Sequence, residues 1–420
     1  MYKRYTLNNG LKVIYEHIPY VKSISIGVWI KSGSRFENQN NNGISHFLEH
    51  MLFKGTKNRT SKQISEEIES LGGQLNAFTS RESTCYYVKL LDTHFDTGID
   101  VLSDMVINPS FLEEEIEKEK SVILEEISMY EDLPEDLISD IQFKALWGDN
   151  TLSYPILGTY DTVSSFSRDI IIDYYSKKYT PTNTVISVVG NFEEDKLISE
   201  IEKRFSSWEN NNGYKITEDS PVAQGGFLVK NKPIEQVHVA LTLKGLESGD
   251  KGLYSLLAIN NYFGSGTSSK LFQRIREDKG YVYSIYSYPS SYKNTGMFSI
   301  YFACNPSCVE DAIRLVKEEI SNIYTEKISS SEIEKIKEQL KGSYILGLEG
   351  VSNIMFGIGK AELILGRVLT TDEAMEKIDS ITKDDIDEVI DYIFKDGIIS
   401  AVAVGRDIAE NDLIKYVNGN

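Results

Sequence analysis

Cysteine, histidine and basic charge are the scarce components of this chain. Its 420 residues include three cysteines, Cys85, Cys304 and Cys308. An odd number without framework spacing excludes a disulfide scaffold and points to a reducing compartment. Cys304-x-x-x-Cys308 lacks the second ligand pair of a structural zinc site. No uncharged apolar run is long enough to span a bilayer. The stretch Met1 to Gly10 lacks the apolar core of a signal peptide. Lysine and arginine total 44 against 63 aspartates and glutamates, a net charge of −19. That balance argues against a nucleic-acid partner and against an anionic membrane surface. A soluble, cytoplasmic protein is the expectation.

What is present is an ordinary globular composition, 41% hydrophobic and 25% charged, long enough for two or more domains. Asn9-Gly10 predicts a hairpin turn within residues 5–17. Residues 23–30 alternate as a strand with Ile24, Ile26, Val28 and Ile30 on one face. Gly72-Gly73 ends a predicted amphipathic helix over 61–71, and two antiparallel strands follow within 74–91. Ser110 with Glu113 reads as a capping box opening the longest helix, which reaches about Tyr130. Pro134 separates it from the next. Residues 209–226 carry Asn210-Asn211-Asn212-Gly213, Pro221 and Gly225-Gly226 without apolar periodicity, and are the expected linker. After it the order of elements repeats. Residues 237–243 resemble the strand at 23–30, and 281–288 with 296–303 resemble the strand pair at 74–91. The expected fold is therefore α+β, in two homologous domains, 1–208 and 227–420. Each would be a mostly antiparallel sheet with helices packed on one face, the two enclosing a cavity.

Two of the five histidines fall in Ile44-Ser45-His46-Phe47-Leu48-Glu49-His50-Met51-Leu52. The pattern is H-x-x-E-H, an inverted zinc-protease signature. On a helix His46 and His50 share a face, so both imidazoles can reach one Zn²⁺ with Glu49 flanking them. The alternative is two histidines packed near a helix end beside a solvated glutamate. A catalytic zinc needs a third protein ligand. The candidate is Glu126, two turns from Glu119 along one helix face, although an acidic run of this kind also suits a plain exposed helix. In the second half, Leu256, Ile259 and Asn260 stand where His46, Glu49 and His50 stand in the first. The loop Gly264-Ser265-Gly266-Thr267-Ser268-Ser269-Lys270 is no phosphate loop, because Ser269 occupies the place of the required glycine.

With these residues the chain resembles the pitrilysin–insulinase family of zinc metallopeptidases, in the branch of the mitochondrial processing peptidase beta subunit and its bacterial relatives. The resemblance is carried by His46 to Met51, Gly72 to Thr79, Glu119 to Glu126, Pro181-Thr182-Asn183 and Arg276 to Tyr283. It implies one Zn²⁺ per chain held by His46, His50 and Glu126, with Glu49 as the base and Glu119 as a supporting carboxylate. It implies that Asn76 and Ala77 lie on an edge strand to which substrate adds. It implies that Arg276 and Tyr283 serve the substrate carbonyl and its oxyanion. The implied activity is endopeptidase cleavage of peptides, unfolded polypeptides or leader segments, basic ones among them. The rival reading is a non-catalytic scaffold or a partner-dependent subunit of a processing-peptidase-like complex. Both the zinc motif and the Arg/Tyr pair stand on this one chain, which favours self-sufficiency and leaves a homodimer open.

Overall fold

The computed structural model describes residues 2–210 and 220–419. The first sheet has six strands: β1 (Lys3–Thr6), β2 (Lys12–His17), β3 (Ser23–Ile30), β4 (Gln74–Thr79), β5 (Thr84–Leu91) and β6 (Thr184–Gly190). Their order is β1-β2-β6-β3-β5-β4, and all neighbours are antiparallel except β2 with β6. The second sheet has five: β7 (Phe227–Asn231), β8 (Val237–Lys244), β9 (Val282–Tyr292), β10 (Thr295–Cys304) and β11 (Ser400–Gly405). Their order is β7-β11-β8-β10-β9, with β7 and β11 the parallel pair. Removing β1 from the first sheet makes the two orders and their strand directions correspond one to one. This is the duplicated α+β architecture that the repeated order of elements predicts.

Alternation along β3 explains how the first sheet is buried. Ile24, Ile26, Val28 and Ile30 face a helical layer and pack with Ile44, Phe47, Leu48 and Met51 of the motif helix and with Ile99 and Leu102 of the helix Phe95–Ile107. Trp29 points the other way. With Ile14, Cys85, Val185 and Val189 it packs against Val351, Met355 and Ile358 of the helix Val351–Leu365. A strand that alternates in sequence is thus apolar on both faces, as a central strand between two layers must be.

The compact units are not contiguous halves. The first takes the chain to Ser128, the stretch beginning at Pro155, and Leu346–Thr370. The second takes Met129–Tyr154, the stretch ending at Ile345, and the chain from Thr371 onward. Its sheet is covered by the helix Pro134–Trp147, whose Ile138 and Ala145 pack on Ala240, Tyr301, Val402 and Val404. Gln142 donates to Thr242 Oγ1 at 2.8 Å and Ser299 Oγ at 3.0 Å in that layer. Each sheet thus carries one helix on the face opposite its main helical layer. The reason is physical: an open sheet with two apolar faces needs cover on both.

Of the expected linker, residues 211–219 lie outside the described residues. Residues 220–226 are held within the second unit: Gln224 N donates to Leu146 O at 2.8 Å and Ala401 N to Gly226 O at 3.1 Å. The expected capping box is also absent. Ser110 Oγ donates to Gly55 O at 3.0 Å, and the long helix begins three residues later, at Glu113.

Candidate metal centre

The helix Ile44–Met51 starts at Gly43, whose φ of +92° is a left-handed conformation. A Cβ there would lie 2.6 Å from Leu157 O and 2.7 Å from Gly158 Cα, so the position admits glycine alone. Ile44, Phe47, Leu48 and Met51 anchor the helix in the core. That leaves His46, Glu49 and His50 on its remaining face. The His46 and His50 rings lie 4.6 Å apart, centroid to centroid.

Glu126 comes from the helix Glu113–Asp132. Its Oε2 lies 3.7 Å from His46 Nε2 and 3.6 Å from His50 Nε2. These gaps are too long for hydrogen bonds. They are close to the spacing of ligands around one ion, roughly 3.3–3.5 Å for tetrahedral bonds of 2.0–2.1 Å. Two nitrogens and a carboxylate oxygen therefore face one point without bonding each other. They are the one such metal-capable group among the described residues.

Glu119, one helical heptad before Glu126, is buried, and its Oε1 accepts from His50 Nδ1 at 2.8 Å. Its Oε2 pairs with Lys54 Nζ at 2.7 Å. Burial works against a charge on His50, but the bond to Glu119 and the carboxylates around it outweigh burial and raise its pKa. In the neutral ring a proton held on Nδ1 by Glu119 leaves the Nε2 lone pair for a metal, the arrangement that orients a metal-binding imidazole. Burial works against the Glu119 charge, but the bonds from His50 and Lys54 outweigh it and keep the carboxyl below its usual range. His46 shifts the opposite way from His50, toward the neutral ring. Burial, then the neighbouring His50, push its pKa down to about 3. Its Nδ1 has no hydrogen-bond partner among the described residues, so packing alone sets its ring.

Glu49 is turned toward β4. Thr79 Oγ1 donates to Glu49 Oε2 at 2.5 Å. Burial pushes the Glu49 carboxyl up, and the Thr79 bond restrains the shift. Glu126 is likewise pushed up, by burial first. A half-desolvated carboxylate of raised pKa beside a metal-capable cluster suits a proton acceptor.

Asn76 and Ala77 lie on β4, the outermost strand of its sheet. Asn76 is exposed, and its Oδ1 accepts from Ala77 N at 2.8 Å. Arg276 and Tyr283 belong to the second unit. Arg276 stacks its guanidinium 4.6 Å over the Phe272 ring centre, and Tyr283 on β9 is 73% exposed. In the second unit Asn260, which the repeated order of elements sets roughly against His50, accepts from Ser287 Oγ at 2.7 Å.

The segment 12–160 matches the family described as insulinase (peptidase family M16), and 165–340 matches the M16 inactive domain. A protein of Bacillus subtilis named an uncharacterized zinc protease, YmxG, is 43% identical over 94% of this chain and 96% of its own. The chain belongs to the M16 peptidase family. An uncharacterized zinc protease of Streptomyces coelicolor is 38% identical over 91% of this chain and 85% of its own length. Among solved structures, a protease from Helicobacter pylori superposes with a TM-score of 0.91 at 23% identity, covering 96% of this chain and 99% of that one. An M16 inactive-domain protein from Pseudomonas fluorescens reaches 0.87 at 16% identity, covering 97% and 99%. At such identities these two likenesses establish the M16 fold.

Sequence reasoning brought together His46, Glu49, His50, Glu119 and Glu126, which are adjacent in space. It missed Thr79 and Lys54. Thr79 ends a strand quoted for the family resemblance, yet spacing along a chain gives no sign that a hydroxyl on one element meets a carboxylate on another. Lys54 offered one sign: on a continued helix it would lie one turn after His50.

Proposed function

We propose that this chain is a zinc-dependent endopeptidase acting on peptides or unfolded polypeptides. The observation that carries the reading is the convergence of His46 Nε2 and His50 Nε2 on Glu126 Oε2 at 3.7 and 3.6 Å, with Glu49 on the same helix face. The relatives named zinc proteases point to the same ion. When bound, zinc supplies a Lewis acid that polarises a carbonyl and acidifies water toward ~7.

The remaining work falls to side chains. Glu49 Oε1 takes a proton from the attacking water as its oxygen bonds the scissile carbonyl carbon. The same carboxyl then returns a proton to the amide nitrogen as the C–N bond breaks. Thr79 holds Oε2 meanwhile, so the accepting oxygen is defined. Glu119 fixes the His50 tautomer. β4 offers its free edge to an extended substrate strand near Asn76 and Ala77, a contact that reads backbone before sequence. The roles of Arg276 and Tyr283 on the substrate carbonyl and oxyanion rest on the family resemblance, and a taste for basic substrates on that resemblance and the net charge of −19. A homodimer is suggested by the zinc motif and the Arg/Tyr pair standing on one chain, and a cytoplasmic setting by the odd, unframed cysteines. No described helix is long and apolar enough to cross a membrane.

The test is metal analysis joined to cleavage of a mixed peptide library, with and without chelator. One zinc per chain and chelator-sensitive cleavage are expected, and Glu49→Gln should retain zinc while losing turnover. Zinc-loaded chain that cuts no peptide would favour the scaffold or partner-dependent reading instead.

A further inference from the structure

Gly43 cannot cap the helix that carries both histidines, because it has no side chain. The cap comes from Glu37, six residues upstream. Glu37 Oε2 accepts from Gly43 N at 2.7 Å and from Asn42 Nδ2 at 2.9 Å, and Oε1 accepts from Ser45 N at 2.8 Å. The residue is buried, 5% exposed. Asn42 Nδ2 also donates to Pro155 O at 2.9 Å, and Ser45 Oγ bonds Tyr174 OH at 2.9 Å and Ser32 Oγ at 3.1 Å. The start of the helix is therefore tied to three separate stretches of the first unit.

We propose that Glu37 is a positioning residue for the metal ligands, setting the first turn of the helix so that His46 and His50 aim at Glu126. The helix is eight residues long, too short to hold itself in place. Its first amide groups need acceptors, and a carboxylate also complements the positive end of the helix. His46 is the residue directly after Ser45, whose amide Glu37 holds. A tilt or rotation of that turn moves the His46 ring, whose Nδ1 has no hydrogen-bond partner among the described residues to resist the movement. Metal sites tolerate displacements of only about 0.5 Å or 10–20°. Buried partners one step behind metal ligands typically set affinity by roughly 10- to 100-fold, and Glu37 acts at the same remove through the backbone.

This inference rests on the zinc reading above and is tested on the full-length chain by metal binding, without peptide cleavage. Glu37→Gln keeps shape but cannot accept from both amides and Asn42 with a carboxylate's charge. The control is Glu362→Gln, a similarly buried glutamate on the helix Val351–Leu365 that bonds Arg4 Nε at 2.8 Å. Zinc alone is titrated into each stripped protein well below its melting temperature, and the cobalt-substituted forms are compared by visible absorption. Glu37→Gln should weaken zinc about 10-fold or more and shift or weaken the cobalt bands. Glu362→Gln should lower Tm yet keep zinc affinity and spectrum near wild type. Wild-type affinity and spectrum in Glu37→Gln overturn the proposal, and so does equal weakening in both variants, which would mark a general loss of stability. Failure of the wild-type chain to bind zinc would instead overturn the reading on which the inference rests.

Discussion

His50 serves two carboxylates with one ring: its Nδ1 bonds Glu119 and its Nε2 faces Glu126. The two glutamates are alike in sequence and opposite in environment. Glu119 is buried and ion-paired, whereas Glu126 is partly open and unbonded to the rings it faces. Replacing Glu126 with Gln should lower zinc content, measured on protein purified with stoichiometric zinc. Glu125→Gln, on the exposed face, should not, and equal zinc in both would remove Glu126 from the ligand set. At Thr79 the expected effect is on turnover. Thr79→Val keeps the shape and deletes the hydroxyl that holds Glu49 Oε2. Loss of a hydrogen bond to a charged group is worth about 1.5–3 kcal/mol, so kcat should fall by about 10- to 100-fold with KM little changed. Thr79→Ser should recover most of it. An unchanged kcat in the Val variant would show that Glu49 needs no orienting bond.

Elements were legible where one segment determined its own fate. The alternation of Ile24, Ile26, Val28 and Ile30 put four residues of β3 on one face, which packs on the helical layer, and Asn9-Gly10 marked the turn between β1 and β2, with Gly10 at φ +90°. Ser110 misled because a hydroxyl near a helix start can serve another partner, here Gly55 O, with equal satisfaction. Trp29 concealed the second apolar face, since one large residue between Val28 and Ile30 reads as noise in a period-two pattern. The helix Arg168–Lys178 holds another feature that spacing could not reveal. Its last residue, Lys178, is 1% exposed, with Nζ 5.0 Å over the Phe36 ring centre. Burial lowers its pKa from 10.5 to about 8, with Glu37 opposing the shift. Between those two pH values the unfolded chain binds the proton that the folded chain has released. Stability from this group therefore rises as pH climbs from about 8 toward 10.5, and the burial cost is fully felt below 8. The span corresponds to about 3 kcal/mol. Denaturant unfolding of the wild type and of Lys178→Met at about pH 7.5 and about pH 10 should show the variant's advantage shrinking at the higher pH. A gap independent of pH would mean that Lys178 escapes its buried position.

At the scale of the molecule, the least legible feature was which parts of the chain complete each sheet. The duplication could be read, because both halves run through the same strand order. The exchange could not, because the helix Val351–Leu365 looks like any apolar helix until its contacts are known. Its Val351, Met355 and Ile358, with Val368 beyond it, cover Trp29, Ile14, Val185 and Val189 of the first sheet. Contact is close: a Cβ on Gly359 would fall 2.2 Å from Trp29 Nε1, and one on Gly27 2.4 Å from Met355 Sδ. A fragment ending at residue 210 contains every proposed metal ligand and lacks this cover. Each large apolar side chain taken from its packed site forfeits about 1.5–3 kcal/mol, so losing these four forfeits about 6–12. That equals the whole stability of an ordinary domain, about 5–15 kcal/mol. The fragment should therefore be aggregation-prone or molten and should bind zinc poorly, although no ligand has been removed. Joining residues 346–370 to it through a flexible linker should restore a cooperative melt and zinc binding together. The same fusion with Met355→Asp should fail at both, because a carboxylate cannot sit against Trp29. If the bare fragment melts cooperatively and binds zinc as tightly as the full chain, the far helix is an accessory to the fold and the sheet needs only one covered face.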